Sequence, residues 1–426
     1  MSSPQRSLGI FSVIAMVLSL QLGSGTFLLP NQLAPYGIWG VLSWLIAGTG
    51  AMALCHVFSA LAAAHPMDGG PHLYIDHAFG KRWAFYAGWT YWVLGWIASA
   101  PLIILAMDSL GNLVGDLGEV GRFLGPCILL WFTLVLNIRG SKLSGLGELI
   151  FAVLKITPLF LLPLLSIPFW KTELLLAPVA APPLSALNAA SLLTFFCFTG
   201  LEAGTTVADC VKNPRKTIPR GLFFGTLVVM TIYIINTVGI FSTLSKDIIL
   251  ANPNSYRPLL DHCLGIGWGK IMDATIFIVC VGSLNAWILA GGQVMATGAK
   301  HGLFPAVFGT MNRYNSPAIG VKITTGCLLA CILFMRNKTI NDQIHMIIEF
   351  ATALYIPIYI LSIAALVALI RRGDISKGWL LYGSIGTSLA FCFWLLSSLA
   401  PMMLLGCTII PLSGYVLAWA FSWPVR

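Results

Sequence analysis

The chain has 426 residues, 58% of them hydrophobic and only 9% charged, with a mean hydropathy of +0.87. Soluble domains carry about 25% charged residues, so this composition excludes a soluble fold and describes a protein that crosses the bilayer many times. The net charge of +9 is not the footprint of a nucleic-acid binder, because the basic residues come in small groups between apolar stretches, the pattern that sets membrane topology.

Windows of about 20 apolar residues, the length of a spanning helix, fall near 8–35, 37–65, 83–112, 121–138, 146–169, 185–208, 220–243, 266–297, 318–336, 342–369, 378–398 and 401–422. Twelve spans are predicted. The first is too long for a cleavable signal and carries no small-residue cleavage site, so it is expected to stay in the membrane. Sixteen of the 24 Lys and Arg residues fall on one side of these spans and seven on the other, with Lys155 left inside a span. The positive-inside rule then places both termini in the cytoplasm. The ten cysteines are scattered singly, without CxxC or Cys/His ligand spacing. They read as small apolar packers, with Cys197 set apart by its location, and neither a metal nor a cofactor is expected.

In the first span, Gly23-Ser24-Gly25 interrupts an apolar run. Each Gly costs roughly 1 kcal/mol of helix stability against Ala. A break inside lipid strips backbone groups of partners, and is tolerated where that backbone lines a protected polar cavity. Close helix–helix contact is the competing explanation, since Gly-x-Gly also lets helices approach. Between the second and third spans, His65-Pro66-Met67-Asp68-Gly69-Gly70-Pro71 marks a turn. Leu73 to Phe79 after it is expected along the cytoplasmic surface, or as plain loop. In the third span Tyr91 lies about 12 Å deep at 1.5 Å per residue, below the interfacial aromatic belt, where its hydroxyl needs a partner. Packing and a binding role both fit Tyr91.

Lys155 sits near mid-membrane in the fifth span, where a charge costs about 2.5–3.5 kcal/mol and is a functional candidate by default. It reads as a proton-coupling group or as a fixed cation in place of a bound sodium ion; snorkelling to a helix end is the alternative. The sixth span carries the second break, Phe196-Cys197-Phe198-Thr199-Gly200-Leu201-Glu202, with a carboxylate beside it. Protonation switching on Glu202 would supply coupling, and a structural hydrogen bond from the neutral acid to unwound backbone is compatible with that. Trp287 in the eighth span needs an acceptor for its N–H if buried. Asp273 and Glu349 lie close enough to the outer surface to be expected in solvent.

The two breaks are five spans apart, so they run in opposite directions through the membrane. Gly-interrupted segments at corresponding places in two five-helix halves are the best sequence pointer to an inverted-repeat transporter. Half-helix N-termini offer free N–H groups to a carboxylate, and a partner that is both anion and cation, such as an amino acid, suits such a site.

These residues also resemble the amino acid–polyamine–organocation (APC) superfamily, and within it the basic amino acid/polyamine antiporters typified by arginine/agmatine exchangers. The resemblance rests on GSGTFLLP (Gly23 to Pro30), PMDGG (Pro66 to Gly70), FTGLEA (Phe198 to Ala203), VKNPRKTIPR (Val211 to Arg220) and HGLFP (His301 to Pro305). It implies an all-α membrane protein with a five-plus-five inverted repeat (LeuT-like), broken first and sixth helices and two extra C-terminal helices. The single transporter domain divides into 8–169, 185–369 and 378–422. By the resemblance, Gly23, Ser24 and Gly25 bind the substrate carboxylate, and the carbonyls of Phe196, Cys197, Phe198, Thr199 and Gly200 meet its α-amino group. Phe196 stands where arginine exchangers have a gating tryptophan, Trp287 lies beneath the substrate side chain, Tyr91 matches a third-helix aromatic, and Glu202 matches a proton- or gate-linked carboxylate. Ser99 replaces an asparagine near the guanidinium, which puts arginine itself in doubt. Lys155 resembles the fifth-helix lysine of proton-coupled members.

The expected function is secondary transport of amino acids or related amines across the plasma or bacterial inner membrane, by exchange or linked to protons. Homologous transporters are often dimers. A non-transporting receptor of the same fold is the alternative. A channel would need repeated filters or charged rings, and an enzyme a nucleophile or ligand motif that no span contains.

Overall fold

A backbone surrounded by lipid satisfies its N–H and C=O groups internally, which makes apolar runs of this length helical. The structure, a computed structural model, describes residues 9–65, 70–115, 117–139, 145–178, 183–202, 211, 213–335, 337–421 and 423. The first apolar segment forms α1 (Ile10–Gln21) and α2 (Ser24–Leu33). Then follow α3 (Ile38–Ala64), α4 (Pro71–Phe79), α5 (Lys81–Ile97), α6 (Ala100–Val114), α7 (Gly118–Ile138) and α8 (Gly145–Ser166). The second half contains α9 (Thr172–Leu175), α10 (Pro183–Phe196), α11 (Pro214–Thr243), α12 (Lys246–Ala251), α13 (Tyr256–Leu264) and α14 (Gly269–Lys300). It closes with α15 (Ala318–Met335), α16 (Ile340–Arg372), α17 (Trp379–Leu396) and α18 (Pro401–Ala420). Among the described residues, nine helical stretches are long and apolar enough to cross a membrane, with α5 and α6 forming one of them. Two shorter apolar stretches, Val153–Phe169 and Pro183–Phe196, accompany them.

At the centre of the bundle α1 packs against α11, and α2 against α6, α10, α11 and α16, with α3 packed on α10 and α11. Close approach is made possible by small residues: Gly221 and Gly225 of α11 leave room for Val13 and Val17 of α1, where any Cβ would collide with them. The late helices α17 and α18 are apolar on their outside, with Trp379 and Trp419 exposed to the surroundings.

The segment expected along the cytoplasmic surface or as plain loop is a helix, α4. It buries His72, Leu73, Tyr74 and Ile75 and packs against α5 and α16. Its last carbonyls, which a helix end leaves without partners, receive the guanidinium of Arg372 at 3.0 Å (His77) and 2.8 Å (Ala78). At the α2 end of the molecule, the Asn31 amide nitrogen donates to the carbonyls of Ile249 at 2.8 Å, Asn252 at 3.0 Å and, more weakly, Leu250 at 3.3 Å. These are the C-terminal carbonyls of α12, so α2 and α12 are joined through one side chain.

Candidate substrate-binding site

The first break lies at Leu22 and Gly23. Leu22 turns the chain out of α1 (ψ 77°) and Gly23 is extended (φ −106°, ψ −155°). Ser24 and Gly25 are the first residues of α2, and no side chain caps that end. The N-terminal N–H groups and positive dipole end of α2 are therefore presented at the break. The second break begins where α10 ends at Phe196; Cys197 to Gly200 form turns, and Gly200 takes a left-handed conformation (φ 88°) that favours glycine. The continuation beyond Glu202, residues 203–210, lies outside the described residues.

The two breaks meet. Gly25 faces the Cys197 thiol and the Phe196 ring so closely that a Cβ there would collide with the sulfur and stand 3.4 Å from the ring. Tyr233 of α11 ties them together, donating to the Gln21 carbonyl at the end of α1 (2.6 Å) and lying 3.4 Å from the Cys197 carbonyl. The Tyr233 ring stacks on Trp44 (centroids 4.5 Å apart), whose indole N–H is held by Thr237. Within the second break the Phe196 carbonyl already accepts the Thr199 N–H and hydroxyl, at 3.2 and 2.6 Å. The Phe198 side chain is core, packed edge-on against Trp44 and Tyr233.

Glu202 is fully buried and forms the polar centre beside this crossing. Tyr359 donates its hydroxyl to Glu202 Oε2 at 2.7 Å, and the Tyr91 hydroxyl also bonds the carboxylate. Tyr355 stacks on Tyr359, meets Tyr91 edge-on, and hydrogen-bonds Thr199 in the break. Tyr91 thus has the polar partner its depth requires. Tyr355 and Tyr359, four apart on one face of α16, and Tyr233 were not singled out in the sequence.

The remaining candidates are placed separately. Ser99 is buried at the bend between α5 and α6, and its hydroxyl donates to Gly95 of its own helix at 2.6 Å. Trp287 is half-buried on α14, packed against the core. Lys155 is buried in α8 and faces Cys280 of α14, whereas the neighbours of Glu202 are the tyrosines of α5 and α16. Asp273 is not solvated as expected: its side chain is 0% exposed because Arg257 pairs with it at 3.1 Å. Glu349 keeps partial access and lies 4.0 Å from His345. Among the described residues, no group of three or more His, Cys, Asp and Glu side chains could hold a metal.

His72 of α4 is buried, and among the described residues neither ring nitrogen has a hydrogen-bond partner. Burial, reinforced by His301, pushes its pKa down from 6.5 to about 4. Between these values the unfolded ring binds a proton and the folded one does not, so stability is intact above about 6.5 and falls as the pH drops toward 4. The shift corresponds to on the order of 3 kcal/mol. Thermal unfolding midpoints in detergent, measured from pH 7.5 to about 4.5, should fall less steeply for His72→Gln than for the unaltered chain. Parallel curves would assign the acid lability to other groups.

Residues 8–423 match the family described as amino acid permease. The chain is 28% identical over 374 residues to the putrescine transporter PotE of Escherichia coli K12, covering 86% of this chain and 85% of that protein. It is 26% identical over 381 residues to PotE of Haemophilus influenzae, covering 88% and 87%. It is also 25% identical over 387 residues to the arginine/agmatine antiporter of Chlamydia abortus, covering 86% and 79%. With its apolar helices and its match across nearly the whole length, the chain is an integral membrane secondary transporter and not an enzyme. It belongs to the amino acid permease family, within the APC superfamily.

Proposed function

We propose that the chain exchanges a cationic amine or an amino acid across the bacterial inner membrane by alternating access about its two broken segments. The observation that carries this reading is the meeting of the α2 N-terminus with Cys197–Gly200 at Gly25, beside the buried Glu202–tyrosine cluster. A substrate carboxylate is bound at Gly23, Ser24 and Gly25 through the N–H groups of Ser24 and Gly25, the Gly23 N–H being taken by the Gln21 carbonyl at 2.8 Å. Its ammonium group meets the carbonyls from Cys197 to Gly200, with Phe196 closing over it and Trp287 beneath its side chain. The relatives transport putrescine or exchange arginine for agmatine by their names, and all three compounds carry a primary ammonium or a guanidinium group. Ser99 spends its hydroxyl hydrogen on the Gly95 carbonyl and keeps only lone pairs to offer a cationic group.

The nine long stretches, the two shorter apolar ones and the α1–α2 pair give twelve spans. In this reading α1–α8 and α10–α16 are the inverted repeats, α17 and α18 are additions that can serve a dimer, and both termini are cytoplasmic. The α2 end then faces outward. Glu202 takes up and releases the coupled proton, and Lys155 stands as a fixed cation between α8 and α14.

The test is uptake of a labelled amino acid and polyamine panel into proteoliposomes, with and without internal substrate and an imposed pH gradient. Uptake that requires internal substrate is expected. In Glu202→Gln the pH dependence of exchange should flatten, because the amide keeps the Tyr359 hydrogen bond but cannot titrate. A pH profile identical to that of the unaltered chain would remove Glu202 from coupling, and a chain that moved no member of the panel would overturn the transport reading for these substrates.

A further inference from the structure

Three side chains, Asn31, Gln32 and His345, form a run of hydrogen bonds across the α2 end of the molecule, and each bond fixes the direction of the next. The Asn31 amide nitrogen is committed to the α12 carbonyls, so its oxygen faces the other way and accepts the Gln32 amide nitrogen at 3.0 Å. With that nitrogen turned to Asn31, the atom Gln32 presents to His345 Nδ1 at 3.2 Å is Oε1, which can only accept. His345 Nδ1 must therefore carry a hydrogen. In a neutral ring the other nitrogen is then bare, and here Nε2 faces the Glu349 carboxylate at 4.0 Å, acceptor against acceptor. A proton added at Nε2 turns that pair into an ion pair and leaves the Nδ1 bond to Gln32 in place.

Asn31 and Gln32 are only 2% and 7% exposed, whereas the His345 side chain is 42% exposed. Its proton therefore comes from the medium on the α2 side and acts on buried amides. The other charged groups around it are engaged or in solvent. On α16 itself, Asp342 is held by Thr339, and Glu349 lies within electrostatic reach of Tyr36 in the turn after α2. Helix α2 has no titratable residue, Lys246 and Asp247 of α12 are exposed, and Asp108 of the neighbouring α6 interacts with Arg257.

The two partners of His345 act differently. Glu349 is one turn further along the same helix, so that pair travels with α16 and favours no arrangement of the helices over another. Gln32 belongs to α2, so the bond to it exists only where the two helices meet. A hydrogen bond with a charged donor is roughly twice as strong as a neutral one. Protonation of the ring therefore strengthens the contact between α2 and α16. We infer that His345 senses pH on the α2 side, and that its protonation holds α2 against α16 and keeps that end of the molecule closed. This rests on the proposed alternating access, in which the α2 end faces outward and opens to load substrate. Acid outside then slows loading through a residue away from the crossing of the broken segments.

The test is hydrogen–deuterium exchange of the purified full-length chain in detergent, read on peptides from α2 and α12 at about pH 5.5 and about pH 7.5. Rates are corrected for the intrinsic pH dependence of exchange. In the unaltered chain the corrected exchange should be about threefold slower at the lower pH, the effect of strengthening one hydrogen bond at a partly exposed site. His345→Gln can still donate to Gln32 Oε1 but cannot titrate, and should remove the difference. Gln32→Met takes away the acceptor and should remove it with His345 still present, which also serves if His345→Gln does not fold. The acid lability expected at His72 runs the other way, toward faster exchange, and is common to all three chains. A difference that persists in either variant, or that is absent from the unaltered chain, would overturn the inference. Failure of the transport reading registers separately, as absent uptake by the unaltered chain.

Discussion

Gly25→Ala is expected to cut transport by roughly 5- to 150-fold, the equivalent of the 1–3 kcal/mol that an added methyl costs in a tightly packed position. Gly25→Leu should abolish it. The Cβ of either residue enters the space of the Cys197 sulfur and comes to 3.4 Å from the Phe196 ring, so the two broken segments must separate where the proposed site requires them to meet. The chain itself should still insert, since neither variant adds charge to a span. The companion variant is Cys197→Ala, which removes the colliding sulfur. Gly25→Ala combined with Cys197→Ala should recover most of the lost uptake, and the energies of the two changes should fail to add because the residues touch. Uptake by the double variant no better than by Gly25→Ala alone would mean that Gly25 matters for its backbone and not for the approach of Cys197.

Lys155→Ala should reduce transport more than tenfold while leaving the amount of protein in the membrane unchanged or raised. Lys155 is 8% exposed within α8 and faces the buried Cys280 of α14. A charge at that depth costs about 2.5–3.5 kcal/mol on insertion, so removing it cannot by itself harm insertion. In the proposed reading, what it removes is the fixed positive charge between a helix of the first half and one of the second. Membrane-fraction levels and substrate uptake, measured on the same vesicles, separate the two effects. Uptake at the level of the unaltered chain would return Lys155 to a packing role.

The two breaks were legible because glycine inside an apolar run has no better explanation than exposed backbone or close approach, and at Gly25 both apply. The sequence centred the first break on Ser24, whereas the chain leaves α1 at Leu22 and Ser24 already belongs to α2. Tyr91 stood out because its hydroxyl lay too deep to reach water. Tyr355 and Tyr359 did not, because an aromatic in a long apolar run looks the same whether it packs or binds; only the fold brings Glu202 to them. Asp273 was misjudged for a related reason. Its position near a span end suggested solvent, but its environment is set by Arg257 on a different helix, a pairing that no periodicity within either segment reveals. The cap on α4 likewise comes from Arg372, almost three hundred residues away in the chain.

The bond between α2 and α12 has a mechanical consequence. A single carboxamide, Asn31, is clamped onto carbonyls of Ile249, Leu250 and Asn252, and Asn341 of α16 reaches the same Leu250 carbonyl at 3.2 Å. Gln32 beside it is held by the Asn31 oxygen and by His345, at 3.0 and 3.2 Å. The Asn31 bonds to Ile249 and Gln32 are buried and the others partly so, and a buried bond of this kind has no water ready to replace it when it breaks. The half-helix α2, the cap α12 and the start of α16 are thus tied to one another through these side chains. In the proposed alternating-access cycle, opening on that side would break several of these bonds together, a latch rather than a continuous bending of the broken helix.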